Sequence, residues 1–330
     1  MGVRAGAPLS RRRALVTGVA GQDGSYLAEL LLESGYDVVG IVRDAAAAHA
    51  NLAGVRDRLE LVEADLLDQE ALAATLRAHR PTEVYNFASP SFVPRSWEYP
   101  VETAEFAAVG VTSLLEAVRA VDTTIRVYQA SSSEIFGEPA EVPQTESTPL
   151  APVTPYGVAK AYGHFIVGSY RRRYGLHASG GILYNHESPR RPLDFQPSKV
   201  AHAAAAISLG LEHELRLGDL DAQRDWGYAR DYVEAIRRIV QRDEPGDYVI
   251  ASGELHSVRE LTETAFSHVG LAWADHVRVD ESLMRGQAEL HHLVGDASKA
   301  RDELGWRPSI GFEDLVRLLV DAARARLTSS

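Results

Sequence analysis

Cysteine is the most informative absence in this sequence, because none of the 330 residues is a cysteine. That absence excludes disulfides, thiolate zinc sites, iron–sulfur clusters and cysteine nucleophiles. Long hydrophobic runs are also missing, since no apolar stretch approaches the ~20 residues of a membrane-spanning helix. Positive charge is scarce: 34 Lys and Arg oppose 46 Asp and Glu, a net charge of −12. We therefore expect neither a nucleic-acid nor a membrane partner, and we predict a cytoplasmic protein.

A metal site is not expected either. Without cysteine, a metal would bind only through histidine and carboxylate side chains, and the sequence has no H-E-x-x-H motif. His291 and His292 are adjacent, and adjacent residues do not face one site on a helix. The arginines at positions 4 and 11–13 precede only a short apolar run that leads into glycines, which disfavours an export signal.

The first half of the chain predicts an α/β fold. Short apolar runs alternate with amphipathic stretches, as is typical of βαβ units and a parallel sheet. The predicted strands span residues 13–17, 37–42, 59–64, 83–87, 126–130 and 177–183, and the predicted helices span 25–34, 69–79, 101–120 and 155–174. This is a doubly wound Rossmann layout, in which ligands bind beyond the carboxyl ends of the strands.

The pattern changes after residue 183. Pro189, Pro192 and Pro197 fall in one polar stretch, and helical patterns follow at residues 199–210, 231–241, 258–269 and 312–327. No repeat or flexible linker separates the two halves. We predict a dinucleotide-binding Rossmann domain over residues 1–184 and a smaller C-terminal α/β substrate lobe over 185–330. The boundary is approximate, segments can interleave, and we expect a cleft between the two parts.

A glycine-rich turn follows the first predicted strand and opens a helix. Gly18, Gly21 and Gly24 are spaced three apart, with Gln22 and Asp23 between the last two. The first glycine permits a tight turn, the second lets backbone approach a pyrophosphate, and the third lets helix and strand pack closely. The helix N-terminus adds amide donors and a positive dipole for phosphates. The turn therefore predicts a nicotinamide dinucleotide site, with a purely structural turn as the alternative.

The end of the second strand indicates which dinucleotide binds. NAD-selective folds place an acidic residue there to accept from the ribose 2′-hydroxyl. Here Val42 is followed by Arg43, a cation that suits a 2′-phosphate, so NADP is favoured over NAD. Asp44 leaves an alternative open, because its carboxylate would either neutralise Arg43 or bind the hydroxyl itself. Asp65 and Leu66, just past the third strand, are candidates for an adenine contact, with a surface aspartate as the alternative.

Tyr156 and Lys160 are four residues apart in a helical stretch, so both lie on one helix face. Lowering a phenol pKa by about 3 units takes roughly 4 kcal/mol, which an adjacent ammonium and a cationic nicotinamide could supply. Tyr156 would then act as a base. About 25 residues upstream, Ser132 and Glu134 follow the fifth strand. Ser132 suits a hydrogen bond to a reacting hydroxyl, and Glu134 suggests a second proton transfer. The alternatives are a helix-capping loop and a solvated carboxylate.

Together these motifs resemble the extended short-chain dehydrogenase/reductase superfamily and, within it, the GDP-mannose 4,6-dehydratase family. The resemblance extends from about residue 13 to residue 327. It is carried by the strings TGVAGQDGSYL at 17–27, YQASSSEIFG at 128–137, PYGVAK at 155–160, GILYNHESPRR at 181–191 and GDLDAQRDWGYARDY at 218–232.

The resemblance implies a nucleotide-sugar 4,6-dehydratase that converts GDP-mannose to GDP-4-keto-6-deoxymannose. In that reaction Tyr156 deprotonates the sugar 4-hydroxyl while hydride leaves C4 for NADP, Ser132 polarises the same oxygen, and Lys160 holds the nicotinamide ribose. Glu134 then removes the C5 proton and protonates the departing 6-hydroxyl, and hydride returns to C6. The cofactor is regenerated.

Further site residues are implied by the resemblance alone. His186 and Arg191 match positions that contact the cofactor, although a core histidine is the alternative for His186. The positions that match the substrate region are Ser91, Asn185, Lys199, Arg224, Arg285 and Glu289. For Arg224 the alternative is an ion pair with Asp225 or Asp221. The family also implies a homodimer or homotetramer.

Two other functions keep the same fold. One is a nucleotide-sugar C4 epimerase, and the other is a nucleotide-hexuronate decarboxylase, since a serine and a glutamate before the tyrosine also serve that chemistry. The strings around Asn185 and Arg224 favour the dehydratase. A non-enzymatic, cofactor-bound sensor is disfavoured, because Tyr156, Lys160 and Glu134 are all present.

Overall fold

A computed structural model of the protein describes residues 12–284 and 293–329. The strands are β1 Arg13–Thr17, β2 Asp37–Val42, β3 Glu60–Glu63, β4 Glu83–Asn86, β5 Arg126–Ala130, β6 Ala178–Leu183, β7 Asn185–Glu187, β8 Leu215–Leu217, β9 Gln223–Arg224, β10 Trp226–Tyr228, β11 Asp247–Ile250, β12 His256–Ser257 and β13 Val277–Val279. The helices are α1 Gln22–Glu33, α2 Gln69–His79, α3 Arg95–Glu98, α4 Pro100–Ala104, α5 Gly110–Val121, α6 Pro155–Tyr174, α7 Gln196–Ser208, α8 Ala229–Gln241, α9 Val258–His268, α10 Trp273–His276, α11 Ser298–Leu304 and α12 Phe312–Ser329.

The main sheet is parallel and, within the described residues, has seven strands in the order β3-β2-β1-β4-β5-β6-β11. Strand β1 lies between β2 and β4, so that Val16 pairs with Gly40 on one side and Tyr85 on the other. The strand order therefore reverses between β1 and β4, which is the switch point where such folds bind ligands. The predicted doubly wound fold is confirmed.

Buried side chains on both faces of the sheet explain why its strands read as apolar runs. In β1, Ala14 and Val16 belong to the core on the side of α1 and α8, whereas Leu15 belongs to the core on the side of α2 and α5. This division follows from the two-residue period of a strand. The two helix layers hold the sheet rigid, and its carboxyl edge serves as a fixed platform for the site.

A separate apolar cluster supports the smaller part of the molecule. It lies between α7, α9 and α12 and includes Trp226, Phe266 and Leu319. Three two-stranded pairings border it in the described part of the chain: β7 with β10, β8 with β13 and β9 with β12. One of these pairings, β7 with β10, places Asn185 opposite Trp226.

The chain returns to the main sheet after residue 184. Strand β11 pairs with β6 at the sheet edge, and α8 packs on the same core as α1. The sequence pattern predicts helix α8 but no strand at β11, because a strand of four residues is too short for a two-residue period to stand out. The chain thus crosses between the two parts more than once, and their division near residue 184 stays a prediction.

Two helix boundaries differ from the predicted ones in ways that bear on the site. Helix α1 begins at Gln22, three residues earlier than predicted, because the Ser25 amide already donates to the Gly21 carbonyl at 3.1 Å. The helix predicted over 101–120 is interrupted by a π-helical turn at Glu105–Val109. Such a turn inserts one extra residue and rotates the helix that follows.

No helix in the described ranges combines the length and the apolar character that crossing a bilayer requires.

Candidate active site

The glycine turn forms a close-packed cradle between β1 and α1. Gly18 has a φ of 64°, in the left-handed region that favours glycine. The Gly21 amide donates to the Gly18 carbonyl at 3.0 Å. A Cβ on Gly24 would collide with that same carbonyl oxygen and would lie 2.7 Å from the Cα of Val19. Gly21 is the N-cap of α1 and has no side chain to occupy the helix end. These features fit a pyrophosphate held by backbone amides.

A segment that follows β6 docks onto this turn through side chains of α1. The Gln22 side-chain amide nitrogen donates to the His186 backbone carbonyl at 3.1 Å, and the Ser188 hydroxyl donates to Gln22 Oε1 at 2.8 Å. Farther along, the Arg190 guanidinium donates to Ser25 Oγ at 2.9 Å and pairs with the Glu29 carboxylate. The cofactor turn and the start of the smaller part are therefore one connected structure.

Asp23 and His186 form a buried ion pair at the centre of this contact. His186 Nε2 lies 2.9 Å from Asp23 Oδ2, and His186 Nδ1 lies 2.7 Å from the Tyr184 carbonyl. Burial acts to raise the pKa of Asp23, but the charge and hydrogen bond of His186 outweigh it and lower that pKa to about 2. Burial likewise acts to lower the pKa of His186, and Asp23 raises it overall. The His186 ring also stacks on Tyr232 at 4.6 Å, so its orientation is fixed from two sides.

Arg191 forms the next charged contact along the segment. Its Nε lies 3.4 Å from Glu187 Oε2, and its guanidinium carbon lies 3.5 Å from the centre of the Phe195 ring. Burial raises the pKa of Glu187, against the opposing effect of Arg191. The positive charge of Arg191 also acts to lower the pKa of the Tyr156 phenol, against the larger effect of burial.

The predicted catalytic residues meet where β5 ends and α6 begins. Lys160 Nζ donates to the Ala130 carbonyl at 3.1 Å, at the end of β5. Ser132 follows two residues later, and its hydroxyl acts to lower the pKa of the Tyr156 phenol, against the larger effect of burial. The Lys160 ammonium lies 5.6 Å from the centre of the Tyr156 ring. The spacing of four residues thus brings both side chains of α6 to the same serine loop, as predicted from the helix period.

The pKa of Tyr156 differs from the sequence-based expectation. Burial raises the pKa of this phenol to about 12, even though the hydrogen bond from Ser132 and the charge of Arg191 act to lower it. Burial lowers the pKa of Lys160 to about 8. The chain alone therefore does not produce the lowered phenol pKa that we expected. A lowered pKa would require the positive charge of a bound nicotinamide as well.

Glu134 lies half-buried on the same loop. Its backbone amide donates to Ser132 Oγ at 3.3 Å, and the hydroxyl of Thr154 donates to its carboxylate at 3.4 Å. Thr154 is also the N-cap of α6, accepting from the Gly157 amide at 2.9 Å. The sequence analysis overlooked Thr154. A threonine before a proline does indicate a helix cap, but its bond to a carboxylate 20 residues away comes only from the fold.

The loop after β2 presents a cation. Arg43 is exposed there, while the carboxylate of Asp44 accepts from the backbone amides of Ala46 and Ala47 at 2.8 and 3.2 Å. The Asp44 side chain thus closes its own turn through Oδ1. After β3, Asp65 is exposed and accepts from the Leu67 amide at 2.9 Å.

Leu66 and Ser91 take different positions at the same sheet edge. The Leu66 side chain is buried in the core, where it packs against Gly110 of α5. Only its backbone is left to contact a cofactor. Ser91 is exposed on the loop that follows β4.

The predicted substrate residues fall on elements of the smaller part. Asn185 lies in β7 and Arg224 in β9, and Arg224 Nη1 donates to the Gln223 carbonyl at 2.7 Å. Lys199 lies in α7, and its ammonium donates to the backbone carbonyl of Arg216 in β8 at 2.9 Å.

The acidic partners considered for Arg224 are bound elsewhere. Asp221 pairs with Arg259 at 2.9 Å, and Asp225 accepts backbone amides. Arg285 and Glu289, and the His291–His292 pair, lie outside the described residues. Within the described ranges, no group of three or more histidines and carboxylates is arranged to hold a metal.

Comparison with known proteins places this site in a family. The sequence profile described as GDP-mannose 4,6 dehydratase matches residues 15–319. GDP-mannose 4,6 dehydratase 1 of Arabidopsis thaliana is 44% identical over 324 residues, which cover 94% of this chain and 89% of the plant protein. The Homo sapiens GDP-mannose 4,6 dehydratase is 42% identical over 340 residues, covering 94% of this chain and 91% of the human protein.

A solved structure agrees with this placement. The dTDP-glucose 4,6-dehydratase of Streptomyces venezuelae, crystallised with NAD, superposes with a TM-score of 0.83 at 28% identity, covering 96% of this chain and 98% of its own. The profile matches most of the chain, and two relatives are more than 40% identical over 94% of it. The fold and the residues on the serine loop and α6 agree with these matches. This chain belongs to the GDP-mannose 4,6-dehydratase family.

Proposed function

We propose that this protein is a nucleotide-sugar 4,6-dehydratase that converts GDP-mannose to GDP-4-keto-6-deoxymannose. One observation carries the proposal: a carboxylate for a second proton transfer is held beside the tyrosine that performs the first. Ser132 is close to both groups: its hydroxyl accepts from the Glu134 backbone amide at 3.3 Å and, against the larger effect of burial, acts to lower the pKa of the Tyr156 phenol. A simple dehydrogenase needs only the first group.

NADP is the cofactor that we propose. The glycine cradle and the N-terminus of α1 fit its pyrophosphate, and Arg43, exposed on the loop after β2, supplies a cation for the 2′-phosphate. Lys160 would hold the nicotinamide ribose, and His186 and Arg191 would contact the remainder. Bound there, NADP supplies a hydride acceptor for C4 of the sugar and, once reduced, a hydride donor for C6.

Tyr156 takes the proton of the sugar 4-hydroxyl in this proposal. With a pKa of about 12 in the chain alone, the phenol needs positive charge near it before it can act as a base near neutral pH. The oxidised nicotinamide, held by Lys160, would add that charge. Ser132 donates to the same sugar oxygen and steers it toward the phenol.

Glu134 completes the dehydration. A 4-keto group acidifies the C5 proton, and the Glu134 carboxylate removes that proton and delivers it to the departing 6-hydroxyl as water leaves. The hydrogen bond from Thr154 at 3.4 Å helps to hold the carboxylate in place. The same residue thus acts first as a base and then as an acid.

The substrate would bind between the serine loop and the smaller part. Asn185 and Arg224, together with Ser91 and Lys199, are the proposed contacts in the described residues, and cations among them suit the negatively charged diphosphate. Arg285 and Glu289 complete the proposed set. We place the reaction in the cytoplasm, since a chain without cysteine suits a reducing compartment.

A second copy of the chain is the partner that we propose. Val158, Tyr162 and Phe165 lie on one face of α6 and are 55, 45 and 60% exposed. Three large apolar side chains at this spacing form a stripe that a homodimer would bury. A homotetramer would require a further surface.

Mass spectrometry of the product tests the proposed reaction. Purified protein incubated with GDP-mannose should give a product lighter by one water, without net formation of NADPH. If the screened GDP-, UDP-, dTDP- and CDP-hexoses yield no such product, the dehydratase proposal is wrong. Release of carbon dioxide from a UDP-hexuronate would instead favour the decarboxylase, and inversion at C4 would favour the epimerase.

A further inference from the structure

Asp225 is a buried carboxylate to which the proposed reaction gives no role. Only 1% of this residue is exposed. One carboxylate oxygen, Oδ1, accepts from the Ser252 amide at 2.8 Å and from the Ser252 hydroxyl at 2.6 Å. The other, Oδ2, accepts from the amides of Gly253 and Gly295 at 3.0 and 3.2 Å. Four donors from two separate loops therefore converge on one side chain.

The position of Asp225 in the chain is as distinctive as its bonds. It is the single residue between β9 and β10, and these strands pair with different partners. On one side, Arg224 pairs with His256 of β12, and on the other, Trp226 pairs with Asn185 of β7. The corner at Asp225 therefore sets where Arg224 and Asn185 lie relative to each other.

The loops held by Asp225 are tightly seated at this corner. Gly253 has a φ of 83°, and a Cβ on Gly295 would lie 2.5 Å from the Cβ of Ala251 and 2.7 Å from the Tyr184 ring. Tyr184 also leads directly into β7, so the corner, both loops and the strand that carries Asn185 form one packed unit.

Energetics favour a positioning role over a purely stabilising one. Burying a carboxylate costs free energy that apolar side chains of similar volume would not cost, so a buried charge is weak evidence of a contribution to stability. What the carboxylate provides is geometry, since four directed hydrogen bonds fix one arrangement of three chain segments. Those segments frame two of the residues that the proposed function assigns to the substrate.

We propose that Asp225 is a positioning residue for nucleotide-sugar binding: it holds the corner that sets Arg224 and Asn185 at the separation a nucleoside diphosphate requires. The inference rests on the proposed function, because that function assigns both residues to the substrate. Asp225 itself does not contact the reacting atoms. Its effect should therefore fall on binding, while the groups on the serine loop and α6 continue to perform the chemistry.

Asp225→Asn tests this directly. Asparagine keeps the shape but has one carbonyl oxygen, so in either orientation its amide nitrogen faces two donors. We expect the KM for GDP-mannose and the dissociation constant for GDP to rise about tenfold or more, with kcat within about threefold and the NADP dissociation constant within about twofold. The matched control is Asp221→Asn, whose side chain is 79% exposed and pairs with Arg259. It should leave all four values within about twofold.

The outcomes separate this inference from the function on which it rests. A variant that loses thermal stability but keeps the KM for GDP-mannose would show a merely structural role and overturn the inference. If Asp225→Asn does not fold, Ser252→Ala, which removes the hydroxyl bond to Asp225 and keeps the three amide bonds, decides: a KM raised about threefold supports the inference, and an unchanged KM overturns it. If the unaltered protein binds no GDP, the proposed function fails and the inference falls with it. If the unaltered protein binds GDP and the variant binds it equally well, only the inference fails.

Discussion

Glu134 and Tyr156 differ in how the protein surrounds them, and this difference suits their proposed roles. The phenol is buried, and burial raises its pKa to about 12, so it remains protonated until positive charge is brought next to it. The carboxylate is half-buried at the mouth of the same loop, where Thr154 donates to it. In the proposed mechanism, the protonation of Tyr156 therefore depends on the charge of the bound cofactor, whereas Glu134 is positioned by the protein itself.

Replacing Glu134 by glutamine should abolish dehydration selectively. Glutamine keeps the size and the bond from Thr154 but cannot accept the C5 proton, so we expect kcat to fall by about three orders of magnitude. NADP binding, measured by fluorescence titration, should change less than about twofold. Glu138→Gln, an exposed substitution four residues away, is the matched control. Unchanged turnover in the Glu134 variant would remove this residue from the mechanism.

The Asp23–His186 pair predicts a pH-dependent contribution to stability. The pKa of His186 is raised in the folded protein, so its contribution is complete below about 6.5, the ordinary histidine value, and is lost as pH rises through the raised pKa. Asp23→Asn removes the partner and leaves burial, which lowers the pKa of His186. The difference in unfolding free energy between the two proteins should therefore be larger at about pH 6 than at about pH 9.

Two measurements check this expectation. Urea denaturation at both pH values gives the free energies of unfolding, and NMR titration of the histidine rings gives the pKa of His186, assigned by comparison with His186→Gln. Asp57→Asn, an exposed substitution, provides the control. The account of this pair is wrong if the His186 pKa stays the same after Asp23 is neutralised.

At the scale of elements, the hydrophobic period of the sequence correctly predicts several strands and helices of the main sheet and its two helix layers. Strands β1, β2 and β5 and helices α2 and α6 lie where the pattern placed them, because the sheet is buried on both faces and its helices are amphipathic. What escaped prediction depends on distant contacts. The pairing of β11 with β6 joins segments more than 60 residues apart, and no local signal specifies it.

The site shows the same limit. The spacing of Tyr156 and Lys160 predicts that both side chains lie on one face of a helix. That this face meets the end of β5 is seen only in the fold. The hydrogen bond from Thr154 to Glu134 and the converging donors on Asp225 depend on how loops meet in three dimensions. The pKa of Tyr156 also depends on burial, which a local sequence pattern does not report.

Gly24 tests the cradle at the start of α1. Alanine is normally the better helix former by about 1 kcal/mol, but here its Cβ would collide with the Gly18 carbonyl. We therefore expect Gly24→Ala to lower the free energy of unfolding by about 2 kcal/mol or more and to weaken NADP binding at least tenfold. Gly168→Ala in α6 is the matched control, because its nearest neighbour is the flexible end of Arg172 at 3.6 Å.

Opposite signs are expected from these two variants. Gly168→Ala should raise stability by about 0.5–1 kcal/mol and leave cofactor binding unchanged. Chemical denaturation with cofactor titration measures both quantities. Equal behaviour of the two alanine variants would mean that the cradle is not as close-packed as described.

At the scale of the whole molecule, the cofactor turn and the smaller part act as one structure. Helix α1 bonds to β7 and to the residues that follow it: Gln22 and Asp23 bond to His186, and Ser25 bonds to Arg190. Strand β7 in turn pairs with β10, which begins next to Asp225. The cofactor side and the proposed substrate side are therefore linked by continuous hydrogen bonding. This linkage joins the two parts of the chain through the segment around β7.

The apolar face of α6 predicts self-association. Phe165→Arg places a charge at its most exposed apolar position and should convert a homodimer to a monomer in sedimentation velocity. Leu211→Arg is the control, since Leu211 is equally exposed, at 59%, at the end of α7. A dimer that survives the Phe165 substitution would show that another surface pairs.

The most direct test of the central claim follows one hydrogen atom. GDP-mannose with deuterium at C4 is mixed with GDP-mannose labelled with heavy carbon but no deuterium, and the products are analysed by mass spectrometry and NMR. The account predicts that deuterium appears at C6 of the 4-keto-6-deoxy product and only in molecules without heavy carbon. Deuterium lost to solvent or the cofactor pool, or shared between the two products, would contradict it.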